Sequence, residues 1–386
     1  MLATKTADIF FKKLAGLEQG TLELATPDGK TRVFGGHSAG PAAKLELRDW
    51  RVLGNLAISG DIGFAEDYRA KLWDTDNLQD LLSLALMNEK AVDAFIFGIL
   101  PARVLARLGN LLRGNTLKGS RRNIRAHYDL GNDFYALWLD RSMTYSSGIF
   151  ATGSEGLEDA QRAKYGRIVD HLGSSSGSLL EIGCGWGGFA EYAQSRGDFA
   201  IKGLTLSDKQ KRYAAARLGD SAQIALEDYR TQTGTYDNIV SIEMFEAVGQ
   251  EYWKTYFDKV AASLKRDGRA MIQTITIEES RFERYKASGD FIRKHIFPGG
   301  LLPSRERFSA SALQSGLQTK SVFEFGHDYA RTLEKWLANF DARKADVMAL
   351  GYDEGFIRMW RFYLAGCIAG FRTNRVGVMQ AELIHV

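Results

Sequence analysis

The clearest chemical pattern in the sequence is a set of three glycines at alternate positions, Gly183, Gly185 and Gly187. They follow an apolar run that starts at Leu179 and contains Glu181, and such a run predicts a buried β-strand. Glycines directly after a strand let the backbone turn sharply and approach a bulky ligand, because they carry no Cβ. The sequence therefore predicts a ligand-binding turn at the end of a strand.

The position of the acidic residue indicates which ligand this turn would bind. A dinucleotide site has the order Gly-x-Gly-x-x-Gly, with an acid about 20 residues later that binds the ribose. Here Glu181 lies inside the strand end, and the order Glu-x-Gly-x-Gly-x-Gly is typical of methyltransferases that use S-adenosylmethionine. A tight strand-to-helix turn with only a structural role is the alternative interpretation.

The elements around this turn alternate between helices and apolar strands. Strands are predicted at Ser178–Ile182, Ala200–Leu204, Ile224–Leu226, Asn238–Ile242 and Arg269–Thr274. Alternation of this kind is typical of a parallel sheet with helices on both faces. We therefore predict an α/β, Rossmann-like S-adenosylmethionine-dependent methyltransferase fold with a mostly parallel central sheet.

Polar side chains follow each of the later predicted strands. In chain order the residues at these strand ends are Thr205, Leu206, Ser207 and Gln210, then Glu227 and Asp228, then Glu243 and Glu246, and finally Gln273 and Thr274, and all of them except Leu206 are polar. Ligands in such folds bind at the carboxyl edge of the sheet. Any one of these residues alone would more often be a solvated helix cap, but the series predicts a shared site.

The N-terminal part has a different pattern, and we predict that it is a small α+β module. Residues 1 to about 75 suggest short strands and turns, including a hairpin of Thr21–Leu24 with Thr31–Phe34. Asn77–Leu112 is predicted to be helical, capped by Asp76 or Asn77 and kinked or broken at Pro101. The predicted domains are residues 1–115 and 121–386, with the boundary in a stretch rich in Gly, Asn, Ser and Lys.

Charge and cysteine content exclude several classes of protein. The net charge is +3, so bulk charge gives no reason to expect nucleic acid. The two cysteines, Cys184 and Cys367, match neither a disulfide framework nor a metal site, and the N-terminus lacks the features of a signal peptide. We expect a cytoplasmic protein without a metal ion.

One segment departs from this average charge. Between Ala94 and Tyr128 there is no acidic residue, but there are seven basic ones, Arg103, Arg107, Arg113, Lys118, Arg121, Arg122 and Arg125. With the apolar residues between them, they suit an anionic lipid surface. A core helix followed by a solvated linker is the alternative interpretation.

Six motifs in order carry a resemblance to a known family. They are Asn123–Tyr135, Met143–Ser147, Glu181–Gly188, Gly203–Ser207, Met244–Glu246 and Phe297–Pro303. From about Arg121 to the C-terminus the sequence resembles the cyclopropane-fatty-acyl-phospholipid synthase family. The resemblance implies transfer of a methyl(ene) group from S-adenosylmethionine to the double bond of an unsaturated phospholipid acyl chain, giving a cyclopropane fatty acid. It also implies a homodimer, peripheral at the inner face of the membrane.

The same resemblance assigns cofactor contacts. Tyr145 and Ser146 would contact the methionine end, Thr205 and Gln210 the ribose region, and Glu227 the adenine amine. The complete set of cofactor-binding candidates is Tyr145, Ser146, Glu181, Gly183, Gly185, Gly187, Thr205, Leu206, Gln210, Leu226 and Glu227. His127 and Tyr128 would be a lid over the cofactor or part of a structural helix.

Methylation of an alkene leaves a carbocation, which water would quench and which a base must deprotonate. Aromatic faces stabilise such a cation, and the candidates are Tyr135, Trp186, Phe245, Tyr329 and Phe362, for each of which core packing is the alternative. In the family the base is a bound bicarbonate. The matched catalytic positions here are Ser147, Glu246, Gln273, Tyr329 and the backbone of Ile275, and a cysteine assigned to the family site aligns with Cys367.

Two of these positions depart from the family pattern. Ser147 stands in place of a cysteine, and Gln273 stands in place of a histidine. Both can hydrogen-bond an anion, but the change removes a titratable group from the proton-transfer step. Methylation of the acyl chain without ring closure is therefore an alternative outcome. Methylation of a soluble small molecule and a lipid-binding protein with a decayed cofactor site are further alternatives.

Overall fold

The computed structural model describes residues 2–92, 119 and 130–386. The chain divides into two compact units, each assembled from separated stretches. The first unit is Met1–Leu112 with Arg284–Ile296 and Phe340–Arg375, and the second is Arg113–Glu283 with Phe297–Asn339 and Val376–Val386. Several predictions lie outside the described residues: the seven basic residues between Ala94 and Tyr128, the kink at Pro101, the boundary near residue 115, and the role of His127 and Tyr128.

The N-terminal stretch forms a four-stranded sheet with three described helices. Its elements are α1 (Leu2–Leu14), β1 (Gln19–Ala25), β2 (Thr31–Gly35), β3 (Ser38–Leu47), α2 (Arg51–Arg69), β4 (Trp73–Asp74) and α3 (Leu78–Met87). The sheet order is β2-β1-β3-β4, and β1 pairs antiparallel with β2, so the predicted hairpin is confirmed. Asn77 caps α3, accepting a hydrogen bond from the Asp80 backbone at 3.1 Å.

The prediction of only strands and turns before residue 75 is wrong at α1 and α2. In α1, Ala7, Phe10 and Leu14 are all buried, at a spacing of three to four residues. This spacing places them on one face of a helix, where burial against neighbouring elements stabilises the helical form. The later segment α14 (Glu354–Arg372) also belongs to the first unit, with the Phe362 ring packed against the ring of Trp73.

From residue 130 onward, the chain forms a second set of helices and strands. The elements are α4 (Asn132–Ala136), α5 (Leu157–Asp170), β5 (Ser176–Ile182), α6 (Gly188–Arg196), β6 (Asp198–Thr205), α7 (Asp208–Leu218), β7 (Ala222–Leu226), β8 (Tyr236–Ile242), α8 (Trp253–Ser263), β9 (Leu264–Ile277), α9 (Glu279–Ala287), α10 (Phe291–His295), α11 (Arg305–Gln314), β10 (Leu317–Glu324), α12 (Gly326–Ala342), α13 (Lys344–Ala349), then α14 and β11 (Val376–His385). All five predicted strands are present as β5 to β9.

The central sheet has the order β10-β11-β9-β8-β5-β6-β7. Strands β5 to β9 run parallel, whereas β11 pairs antiparallel with both β9 and β10. The expectation of a mostly parallel sheet is thus confirmed, although β10 and β11 were not predicted. Since β5 has β6 on one side and β8 on the other, its carboxyl end lies at the switch point of the sheet, where such folds bind ligands.

Candidate active site

The turn after β5 has the backbone conformation that its glycines predict. Gly183, Gly185 and Gly187 have φ angles of +85°, +53° and +82°, in the left-handed region that favours glycine. A Cβ on Gly185 would meet no atom within 4 Å, so that side of the turn is open. Gly187 precedes α6 directly. The turn therefore offers the backbone approach that a bulky cofactor needs.

Glu181 lies in β5 directly before this turn, with a carboxyl oxygen that lacks a partner. The side chain is 3% exposed, and no described residue hydrogen-bonds its Oε2 atom. Burial raises the pKa of Glu181 to about 8, against the opposing attraction of Lys164. A buried acceptor without a donor is costly, and a ligand that brings a positive charge or an N–H group would satisfy it. The ammonium or sulfonium of S-adenosylmethionine fits this requirement.

Helix α5 holds the segment that carries Tyr145 and Ser146. Lys164 donates a hydrogen bond from Nζ to Ser146 Oγ at 2.7 Å, and Gln161 donates to the Ser146 carbonyl at 2.8 Å. Burial lowers the pKa of Lys164 to about 7, so its neutral form is accessible beside a cationic ligand. Sequence reasoning missed Lys164, because nothing near it in the sequence indicates that it is fully buried.

The candidates for the ribose and adenine end come together at the ends of β6 and β7. Thr205 and Leu226 are partners in the register of these strands, and Thr205 donates a hydrogen bond to Gln210 Oε1 at 2.8 Å. The backbone N–H of Glu227 donates to the Thr205 carbonyl at 3.1 Å. The Glu227 carboxylate forms an ion pair with Lys202 at 2.8 Å. If Glu227 also binds the adenine amine, its carboxylate contacts both groups.

On the acceptor side of the site, three of the residues predicted to bind a small anion converge on Glu243. Its Oε1 atom accepts from the Ser147 backbone N–H at 2.9 Å and from Gln273 Nε2 at 2.7 Å, and its Oε2 atom accepts from the Tyr329 hydroxyl at 2.6 Å. Glu243 lies deep in the protein but keeps part of its surface accessible. Burial raises its pKa, whereas the three donors favour the ionised form.

A chain of hydrogen bonds fixes the orientation of the Gln273 amide. Arg167 can only donate, and its Nη1 atom lies 2.9 Å from Gln380 Oε1. Gln380 Nε2 therefore donates to Gln273 Oε1 at 3.0 Å, which leaves Gln273 Nε2 to donate to Glu243. This order makes Gln273 a donor toward the Glu243 carboxylate.

Glu246, three residues later, has a different environment. Its Oε1 atom accepts from Thr274 Oγ1 at 3.0 Å and from the Ile275 N–H at 2.5 Å, and no described residue bonds its Oε2. Burial, followed by the nearby charge of Glu243, raises the pKa of Glu246 to about 8. The predicted anion ligands are thus divided between two carboxyl groups, one with three donors and one that keeps its proton at neutral pH.

Aromatic rings connect the glycine turn to Glu243. Centroid distances are 5.1 Å from Trp186 to Tyr135, 5.4 Å from Tyr135 to Tyr145, 5.3 Å from Tyr145 to Trp336, and 6.1 Å from Trp336 to Tyr329. We call these five residues the aromatic wall. It contains three of the predicted cation-stabilising residues, while Trp336 was missed because helix α12 brings it from far along the chain.

Three other candidates belong neither to the aromatic wall nor to the cluster around Glu243. Phe245 packs against Trp253 and Phe308 in a buried cluster, as the core-packing alternative proposed. Phe362 and Cys367 belong to the first unit, whereas the residues around Glu243 belong to the second. Cys367 as a residue keeps part of its surface exposed, but burial of its thiol raises the pKa to about 12, which disfavours a reactive thiolate.

Among the described residues, no group of three or more His, Cys, Asp or Glu side chains is arranged to hold a metal ion. No helix of that part of the chain is long and apolar enough to span a bilayer.

Fold and site together define an S-adenosylmethionine-dependent methyltransferase. Residues 115–381 match the family described as mycolic acid cyclopropane synthetase. The tuberculostearic acid methyltransferase of Mycobacterium tuberculosis is 37% identical over 341 residues, which are 84% of this chain and 79% of that protein. The cyclopropane-fatty-acyl-phospholipid synthase of Escherichia coli is 34% identical over 327 residues, which are 83% of this chain and 82% of that protein.

A solved structure agrees with these relatives. A mycolic acid cyclopropane synthase complexed with S-adenosylhomocysteine and CTAB superposes with a TM-score of 0.64 at 32% identity, covering 68% of this chain and 97% of that one. The chain therefore belongs to the cyclopropane synthase family of methyltransferases, and the predicted family, enzyme class and cofactor are confirmed.

Proposed function

We propose that this enzyme transfers a methyl group from S-adenosylmethionine to the double bond of an unsaturated acyl chain of a membrane phospholipid. Loss of a proton from the resulting carbocation would give a cyclopropane fatty acid. The observation that carries the proposal is the aromatic wall, which runs from Trp186 in the glycine turn to Tyr329, whose hydroxyl bonds the Glu243 carboxylate. Aromatic surroundings of this kind suit an apolar acyl chain better than a soluble amine.

The chain's own residues would prepare each end of this site. When bound, S-adenosylmethionine supplies an electrophilic methyl group. Glu181, Ser146 and the glycine turn would hold and orient it, and Thr205, Gln210 and Glu227 would bind its nucleoside. The aromatic wall would exclude water and place ring faces beside the cation, where they attract positive charge without attacking it.

Methylation without ring closure is the second candidate outcome. The feature that supports it is Gln273, which stands in place of the family's histidine and donates to Glu243, so the groups around the proton acceptor differ from the family pattern. One relative at 37% identity is a tuberculostearic acid methyltransferase, which also points to a methylated acyl product. The two outcomes differ only in which proton leaves the cation. Removal from the new methyl group closes the ring, and removal from a chain carbon leaves a methylated alkene.

An acyl chain in a bilayer requires an enzyme that works at the membrane surface. We propose that the protein acts as a peripheral homodimer at the inner face of the membrane, with residues 1–115 as the lipid-facing module and 121–386 as the catalytic domain. Flotation with anionic vesicles and light scattering in solution would test these two statements separately.

The test of the proposed reaction uses purified protein and S-adenosylmethionine with a deuterated methyl group. The protein is incubated with unsaturated phospholipid vesicles or with soluble amines, and the products are identified by mass spectrometry. We expect label only in the acyl chains. A ring product keeps two methyl deuterons, and a methylated alkene formed by loss of a chain proton keeps three. Label in the amines alone would contradict the proposal.

A further inference from the structure

The donors around Glu243 form an anion site that the protein fills with its own side chain. The Ser147 N–H and Gln273 Nε2 both point at Oε1, and the Tyr329 hydroxyl points at Oε2. These donors come from a loop, a strand and a helix, so three separate parts of the fold contribute to one carboxylate. Such a set would suit a small carboxylate or bicarbonate ion if Glu243 were absent.

A free anion would compete poorly for these donors. Each of them is already within 2.6 to 2.9 Å of a Glu243 oxygen. A second anion at the same place would lie beside an ionised carboxylate deep inside the protein, where repulsion between like charges is strong. The arrangement therefore favours the built-in group over one taken from solution.

The backbone conformation of Glu243 is strained. Glu243 has φ of +50°, one of the few residues other than glycine in the left-handed region among those described. It follows directly after β8, and its N–H donates to the Gln273 carbonyl at 2.8 Å. Strained residues of this kind persist where the surroundings fix them, and they are concentrated at functional sites.

We propose that the Glu243 carboxylate is itself the proton acceptor of the reaction, in place of a bound bicarbonate. This inference rests on the proposed function. In the step, a C–H bond of the methylated cation breaks and its electron pair forms the ring bond or a new double bond. The proton moves to a Glu243 oxygen, which gives a neutral carboxylic acid and a neutral acyl product.

Glu243 suits this role better than Glu246 does. A base must be ionised, and the three donors on Glu243 stabilise its negative form. From the described residues Glu246 receives two hydrogen bonds, both on Oε1, and burial together with the charge of Glu243 raises its pKa to about 8. Deprotonation of a carbocation needs little basicity, so alignment beside the aromatic wall matters more than proton affinity.

The first experiment compares the intact enzyme with and without bicarbonate. Methylation of unsaturated phospholipid vesicles is measured in CO2-free buffer and after addition of sodium bicarbonate. We expect the same turnover in both, because the acceptor is part of the chain. A rate that depends on added bicarbonate would overturn the inference while leaving the proposed function intact, whereas absence of any lipid methylation would contradict the proposed function itself.

The second experiment replaces the carboxylate in two matched variants, Glu243→Gln and Glu246→Gln. We expect Glu243→Gln to lose turnover by about a hundredfold or more, the effect of removing a general base, with unchanged S-adenosylhomocysteine binding by calorimetry. Glu246→Gln should lose much less, because glutamine resembles the protonated acid that Glu246 already is. Near-normal turnover in Glu243→Gln would overturn the inference, as would the reverse order of the two losses.

A third variant, Glu243→Gly, suits the left-handed backbone and opens the space between the donors. We expect it to fold at least as stably as the parent, to be inactive in CO2-free buffer, and to regain at least about tenfold activity with sodium formate or bicarbonate. Full activity of Glu243→Gly in CO2-free buffer without added formate would contradict the inference.

Discussion

The two ends of the site are built in different ways. The cofactor end depends on a short local motif, in which Glu181 and three glycines lie within seven residues of one another. The acceptor end is assembled from Ser147, Glu243, Gln273 and Tyr329, which are distant in the sequence and meet only in the folded protein. The local motif is typical of the cofactor class, and we propose that the assembled cluster determines the product.

Breaking the cofactor end should have the largest effect. In Gly185→Ala the new Cβ would enter the open side of the turn, where we expect the cofactor to bind. The affinity for S-adenosylhomocysteine should fall by about a hundredfold, the equivalent of roughly 2.7 kcal/mol, because backbone approach is blocked. Titration calorimetry measures this directly.

Gly219→Ala is the matched control for that variant. Gly219 also has positive φ, at +52°, and a Cβ there would likewise meet nothing within 4 Å. Because ψ at Gly219 is −132°, outside the left-handed helical conformation, a side chain there should cost at least about 1 kcal/mol of strain, so this control does not understate the effect of strain alone. Equal loss of affinity in both variants would contradict a cofactor role for Gly185.

A smaller effect should follow from Tyr329→Phe, which tests the role of Glu243 at the acceptor end. The variant keeps the ring in the aromatic wall but removes the hydroxyl that donates to Glu243 Oε2 at 2.6 Å. Since that hydrogen bond favours the ionised carboxylate, its loss should raise the pKa of Glu243 further. The enzyme needs the ionised form, so activity is lost as pH falls through this pKa.

The pH profile of turnover on vesicles checks this prediction. The acidic limb in Tyr329→Phe should move to higher pH by about one unit, with turnover lowered about tenfold at its maximum. An acidic limb that does not move would show that Glu243 is not the group that titrates.

The pH dependence of the free energy of unfolding should show that Glu246 is protonated in the folded protein. The raised pKa of Glu246, about 8, means that the folded protein keeps a proton which the unfolded chain releases above its ordinary value of 4.5. Its contribution to the free energy of unfolding is therefore present at low pH and is lost as pH rises toward 8, by up to about 1.4 kcal/mol per pH unit. Glutamine does not titrate, so the Glu246→Gln variant does not lose this contribution. The free energy of unfolding of the variant minus that of the parent should therefore increase as the pH rises from about 5 to about 8.

Urea unfolding of both proteins at several pH values measures that difference. A constant difference between pH 5 and pH 8 would mean that Glu246 is ionised in the folded protein. Glu246 would then not be the carboxyl group that keeps its proton at neutral pH.

The smallest effect is expected for Cys367→Ala. The thiol belongs to the first unit and has a pKa of about 12, so it is not a nucleophile near neutral pH. Turnover on vesicles should stay within about threefold of the parent, with a loss of stability of about 1 kcal/mol from the smaller side chain. A large loss of turnover with intact cofactor binding would assign the thiol a catalytic role.

Sequence patterns predicted the parts of this structure that depend on neighbouring residues. Alternating apolar runs located β5 to β9, and the glycine spacing located the turn. Helix α2 was missed, because its buried positions Val52 and Leu53 lie among many small and polar residues. Strands β10 and β11 were also missed, since they pair antiparallel at the edge of a sheet that is otherwise parallel.

In the site, too, the sequence predicted only the features that depend on neighbouring residues. The sequence placed two carboxylates beside Phe245, and the family resemblance directed attention to Glu246. Which carboxylate meets Ser147, Gln273 and Tyr329 depends on the left-handed backbone at Glu243, and that is a property of the folded chain. Lys164 and Trp336 could not be found either, because their burial depends on packing between distant elements.

The most direct test of the account is the lipid mass spectrum of cells fed methionine with a deuterated methyl group. Cells that express the parent protein should contain new acyl chains that carry methyl-derived deuterium. Cells with equal amounts of folded Glu243→Gln should contain almost none. Unlabelled lipids from the parent, or equal labelling from both proteins, would contradict the account.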